Sequence, residues 1–230
     1  MAIGFFTDEV KYTLPHPPIH PRTLLIISNV VKKAWELINE KPPAGFSLQT
    51  ADEDTITQVL IEVLETRLRK NGDIDGFNCA LFGRVTREPK ITNFNKEHPD
   101  KMPDIFFDLK RDHMSILSDQ DGLFVECKPV DRKHSVWSCY CQKGLVRFIN
   151  GDYAWAMQNA MMIAYVSAPY SFDKLLSVFN DSIKSVTLNI TKQKPIDKEH
   201  YLSTHNREFL WLHNNDPACP IEIVHLWLPV

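Results

Sequence analysis

The sequence predicts an α/β protein, a mixed central β-sheet flanked by helices. Two stretches, Arg22 to Asn39 and Ile56 to Leu68, repeat apolar residues at helical spacing. Shorter runs at 104–109, 123–129, 161–166 and 221–228 are rich in β-branched and aromatic residues and read as strands. Across the middle of the chain the two patterns alternate, in the order α-β-β-β-α-β.

Pro15, Pro17, Pro18 and Pro21 mark an irregular leading segment. Leu24, Leu25, Ile27, Val30, Val31, Ala34, Leu37 and Ile38 then give a helix with a broad apolar stripe, stopped by Pro42 and Pro43. Residues 44–51 read as a loop, and Thr50 to Asp54 supplies N-cap chemistry with early acidic residues. A second amphipathic helix carries Ile56, Val59, Leu60, Val63, Leu64 and Leu68, and Asn71-Gly72 ends it. Residues 77–87 read as a strand and 88–102 as a polar loop. The strands at 104–109 and 123–129 are joined by a polar segment, Lys110 to Gly122. Ser135 to Ile149 reads as a helix stopped by Asn150-Gly151. Trp155 to Val166 reads as a helical turn leading into a buried strand near Met161 to Val166. A third amphipathic helix is expected over Phe172 to Val186, then a charged loop (KQKPIDKEH) and strands at Tyr201 to Ser203 and Ile221 to Leu228.

The 230 residues are expected to form one domain: an N-terminal helical extension (1–49), a core (50–167) and a C-terminal helix and strands (168–230). With 43% hydrophobic and 24% charged residues, disorder is not the default. The net charge of -3 carries no global basic signal, so any nucleic-acid site must be a local patch. Five irregularly spaced cysteines argue against a disulfide framework. The first residues lack a basic stretch followed by an apolar one, and no apolar run reaches membrane-spanning length. The expectation is a cytoplasmic protein with no membrane partner. No GxxxxGK[ST] loop and no GxSxG elbow is present.

The stretch Met102 to Val130 carries the chemistry. Asp104 opens one apolar run, and Glu126-Cys127-Lys128 closes the next. Side chains alternate along a strand, so Glu126 and Lys128 share a face that Cys127 does not. Asp104 and Glu126 supply two acidic oxygens, and the Cys127 carbonyl offers a third. That suits Mg²⁺, which binds oxygen and keeps several waters. Such a metal supports phosphodiester cleavage by offsetting charge and lowering the pKa of a bound water. Lys128 would position or help deprotonate that water, or stabilise developing charge.

Pro103-Asp104 followed by Glu126-Cys127-Lys128 resembles the PD-(D/E)XK nuclease superfamily, over roughly residues 50–167. The resemblance implies the restriction-endonuclease-like fold and Mg²⁺-dependent nuclease activity, with Mn²⁺ able to substitute. It also implies an acidic residue on the first core helix. Glu53, three residues before Ile56 and on the core-facing side, is the candidate, whereas Glu62 lies off that stripe. A polar residue on the helix after Glu-x-Lys is often added, and Gln142 is the match by position. Lys143 and Arg147 lie on the same helix, Arg147 suited to phosphate. With Arg132, Lys133 and His134 they form a local basic cluster able to bind a nucleic-acid backbone.

Other signals carry less. Cys139, Cys141 and His134 lack a second ligand pair at zinc spacing. His205 and Arg207 alternate on a possible strand, and His205 is a candidate phosphate contact. His225, inside an apolar run, reads as a core histidine. His213-Asn214-Asn215 reads as a loop. Tyr153, Trp155 and Tyr165 are candidates for base stacking or, more simply, for the core. The expectation is a metal-dependent nuclease, DNA favoured over RNA, serving restriction, phage defence or repair. The alternative is a catalytically silent nucleic-acid-binding or assembly subunit of the same fold. Residues 22–38 and 221–228 are candidate dimerisation surfaces, and a gating protein partner is the other expectation.

Overall fold

The computed structural model describes residues 14–111, 118–197, 200–212 and 214–230. The first helix, α1 (Pro21–Glu40), has proline in its opening turn and an N-cap, His20, whose ring accepts from the Arg22 backbone N–H. It buries the predicted stripe, Ile27, Val30, Val31, Ala34 and Ile38 among it. Trp35 stacks on Tyr165 with ring centres 5.5 Å apart, and its indole donates to the Pro229 carbonyl at 2.9 Å. The N-terminal extension is thus packed into the main core. The second helix, α2 (Glu53–Val63), is capped by Asp52, whose carboxylate accepts from Thr55 N–H at 2.8 Å. It runs on through a π-turn, Leu64–Leu68, and a last turn, Arg69–Asn71. Gly72 ends it at φ +70°, a left-handed backbone that favours glycine.

The strands are β1 (Phe82–Arg87), β2 (Ile105–Leu109), β3 (Gly122–Val130), β4 (Asn159–Val166), β5 (Ile190–Pro195), β6 (His200–His205) and β7 (Ile221–Pro229). They form one mixed sheet in the order β1-β2-β3-β4-β7-β6-β5. β3, β4 and β7 pair in parallel at its centre, and the other pairs are antiparallel. Every residue of β4 is buried, as expected of a parallel strand covered on both faces. Between β3 and β4 lies α3, π-helical over Val136–Leu145 and α-helical over Val146–Ile149. α4 (Phe172–Phe179) and α5 (Ser182–Thr187) follow β4. From α2 to β4 the order is α-β-β-β-α-β, as the sequence predicts.

Several expectations are corrected. The helix over 172–186 is two helices, because Asp181 caps α5 by accepting from the backbone N–H groups of Ile183 and Lys184. The charged loop contains strand β5, an exposed edge strand whose lysines and Pro195 give no apolar alternation. β1 begins at Phe82, after a turn in which Asn78 accepts from Ala80 N–H. Residues 22–38 and 221–228 are largely spent inside the chain, on α1's buried stripe and on the inner strand β7, which leaves Leu25 as the exposed large apolar side chain of α1. No helix among the described residues is long and apolar enough to cross a membrane. The first thirteen residues, 112–117 of the 110–122 join, two residues of the charged loop and His213 lie outside the described residues.

Candidate active site

The β2–β3 register assembles the site. Ile105 pairs with Val125 and Phe106 with Phe124, so Asp104, one residue before β2, falls opposite Glu126. Asp104 Oδ2 accepts from the backbone N–H of Cys127 at 2.6 Å. Glu126 and Lys128 leave β3 on one face. Glu53, the first residue of α2, reaches the same place from the helix start.

The ammonium of Lys128 is the hub. Its Nζ lies 2.8 Å from Glu53 Oε1, 2.9 Å from Glu126 Oε1 and 3.4 Å from Asp104 Oδ2. It also donates to the Cys127 carbonyl at 2.5 Å. From α3, Arg147 donates to Glu126 Oε1 at 2.9 Å and to the Tyr153 hydroxyl at 2.5 Å. Tyr153 in turn donates to the Met102 carbonyl at 2.8 Å, which ties Arg147 to the loop before β2. Both cations therefore meet Glu126 at Oε1. Glu126 Oε2 is buried and has no hydrogen-bond partner among the described residues.

α3 approaches this face closely because residue 144 is glycine. A Cβ there would come 2.7 Å from Met162 Cε, 3.3 Å from Lys128 Cγ and 3.6 Å from Glu126 Cγ. Access from solvent runs past the side chains of Arg147, Glu53 and Asp104, 40%, 25% and 17% exposed, whereas Glu126 is fully buried.

Burial raises the pKa of Glu126 to about 8, and the Asp104 charge adds to the rise against the opposing pull of Lys128 and Arg147. Burial is also the largest cause of the raised pKa values of Glu53 and Asp104, which Lys128 only partly offsets. At Lys128 burial acts the other way. The charges of Glu126, Asp104 and Glu53 outweigh it, so the ammonium holds its proton more firmly than a free lysine.

The donor chemistry suits a hard cation. Carboxylate and carbonyl oxygens are what Mg²⁺ binds, with water filling the remaining positions. The bare, buried Glu126 Oε2 is an acceptor that a metal would satisfy. Among the described residues no three His, Cys, Asp or Glu side chains form a ready metal cage. The fit therefore rests on Asp104, Glu126 and the Cys127 carbonyl, beside an ammonium that already draws the carboxylates together.

The structure brings together Glu53, Asp104, Glu126, Lys128 and Arg147, all singled out in the sequence. Gln142 and Lys143 are exposed on α3, and Gln142 lies close to half a turn around the helix from the site-facing Gly144. Arg132 and Lys133 are exposed in the turn between β3 and α3. His205 is a correction. It is fully buried on the inner strand β6, where its ring bonds Ser203 Oγ at 2.6 Å and the Leu188 carbonyl at 2.6 Å, so it meets no phosphate. Arg207 is buried too, donating to the carbonyls of Ala154 and Trp155. His225 is the expected core histidine, between Tyr140 and Ser203. Sequence reasoning missed Tyr153 as the partner of Arg147 and missed Gly144. The Asn150-Gly151 stop before Tyr153 was visible, but nothing in the local pattern ties that tyrosine to the helix. Protein-family models, curated proteins and solved structures give no match to this chain.

Proposed function

We propose that this chain is a metal-dependent nuclease of the PD-(D/E)XK kind, cutting phosphodiester bonds, with DNA favoured over RNA and Mg²⁺ or Mn²⁺ as the metal. One observation carries the reading. Glu53, Asp104 and Glu126 converge on a single ammonium, and the second oxygen of Glu126 is buried and unpartnered beside them. Asp104, Glu126 and the Cys127 carbonyl are the groups that would hold the metal, with Glu53 beside them. When bound, such an ion offsets phosphate charge and lowers the pKa of its water.

The chain's own residues do the rest. Lys128, firmly protonated, is suited to donate hydrogen bonds to charge that develops on the phosphate and is a poor acceptor for a water proton. Arg147, half-buried and steadied by Tyr153, presents a planar guanidinium suited to phosphate oxygens. Exposed Arg132, Lys133 and Lys143 supply sequence-independent contacts to the nucleic-acid backbone. A role in restriction, phage defence or repair follows from the same resemblance, and the irregular cysteine spacing favours a reducing, cytoplasmic setting.

The test is cleavage of mixed DNA and RNA substrates with Mg²⁺ or Mn²⁺ by wild type, Asp104→Ala and Lys128→Ala. Metal-dependent cutting that falls at least about 100-fold in each variant is the expected result. Cutting that needs no metal, or that survives both changes, overturns the reading. Nucleic-acid binding by a folded wild type that never cuts would favour the silent subunit.

A further inference from the structure

Beyond Tyr153 a second hydrophobic cluster stands apart from the main core, built on Trp155, Phe209 and Trp211. It borders a cavity of about 510 Å³ whose walls include Trp155, Trp211 and Phe94. The two indole rings lie 6.4 Å apart at 57°. The Trp155 N–H is already engaged, donating to the Thr92 carbonyl at 2.8 Å, so that indole offers the cavity ring surface and no donor. Gln120 also lines the cavity. It is only 2% exposed, and its Oε1 has no hydrogen-bond partner among the described residues. Its amide nitrogen donates at 3.4 Å to Asp119, another residue of the cavity wall, so the oxygen is the atom of that amide left to be met. Lys96 is exposed at the rim.

We propose that this cavity binds an unpaired nucleobase. Aromatic walls stack a planar heterocycle whatever its sequence identity. A buried amide oxygen without a donor needs an N–H, and exocyclic amino and ring N–H groups on base edges supply one. Lys96 places positive charge where the phosphate of a nucleotide would emerge. An aliphatic ligand, and equally a quaternary ammonium, which has no N–H to donate, would leave the Gln120 oxygen unmet.

The cavity is tied to the candidate active site through the turn after α3. Trp155 lies two residues past Tyr153, and Phe94 N–H donates to the Gly151 carbonyl at 3.1 Å. The inference rests on the nuclease reading for its role: the substrate is single-stranded or locally unpaired at the nucleotide this cavity holds. Base binding itself requires no metal.

Tryptophan fluorescence, titrated in EDTA, tests it with a short single-stranded DNA, the same strand carrying abasic sites, the matching duplex and free mononucleotides. The base-bearing strand should quench saturably and bind at least tenfold tighter than the abasic strand and the duplex. Gln120→Leu, close in shape, should weaken the base-bearing strand at least fivefold and leave the abasic strand unchanged. Saturable quenching by mononucleotides supports the base pocket and extends it to free nucleotides. Equal affinity for base-bearing and abasic strands, or quenching by tetramethylammonium in place of the strand, overturns the proposal. With metal excluded, intact base binding by a protein that never cuts would fail the nuclease reading alone.

Discussion

Lys128 holds Glu53, Asp104 and Glu126 together, and removing its charge exposes their mutual repulsion. Lys128→Met should destabilise the fold by about 3–5 kcal/mol at pH 8, the usual cost of breaking a buried ion pair. The loss should shrink at pH 5, where the carboxylates can protonate. Urea unfolding at the two pH values measures both. Glu126 gives a second pH signature. Its folded pKa, about 8, stands above its unfolded value of 4.5, so between those values the folded state keeps a proton that the unfolded chain has lost. Stability of the metal-free protein should therefore fall as pH rises through that window and level off above it. Glu126→Gln should flatten the slope, as unfolding curves from pH 4 to 9 would show. At this scale the site was largely legible. Asp104, Glu126 and Lys128 were given by motif and strand alternation, and Glu53 by its place on a helix stripe. His205 was misread because alternation does not say which face a helix will cover. Here α4 covers it, with the Phe179 ring centre 6.2 Å from the imidazole.

Helix α3 presses on β3 through a residue without a side chain. Gly144→Val should push Met162 and Lys128 aside, cost about 1–3 kcal/mol as overpacking does, and reduce cutting at least tenfold. Gln142→Ala, on the exposed side of the same helix, should change stability by less than about 0.5 kcal/mol and cutting by less than twofold. Thermal melts and the cleavage assay separate the two variants. The helix as a unit was visible from Ser135 to Ile149, but its π-winding was not, because no apolar period distinguishes it here from an α-helix. α1, α2, β2, β3 and β7 were legible because each has a buried stripe or run of the right period. β5 was not, because an edge strand is held by backbone pairing and its side chains stay in water. The break between α4 and α5 was carried by one capping aspartate inside an otherwise continuous apolar pattern.

The whole molecule is a sheet whose parallel centre, β3-β4-β7, is covered on both faces, with the candidate site at the junction of β2, β3, α2 and α3. Any ligand that binds only this assembled junction stabilises the entire fold by mass action. Mg²⁺ at ten times its dissociation constant should add about 1.4 kcal/mol, a rise of a few degrees in melting temperature, and Asp104→Ala should abolish it. The net charge of -3 conceals the exposed basic residues around α3, and the proposed nuclease reading predicts nucleic-acid binding that weakens steeply with added salt. The location of the metal tests the central claim most directly. In Mn²⁺-soaked crystals, anomalous scattering should place one ion against Asp104, Glu126 and the Cys127 carbonyl. An ion bound elsewhere, or none in crystals that hold saturating Mn²⁺, would contradict the account.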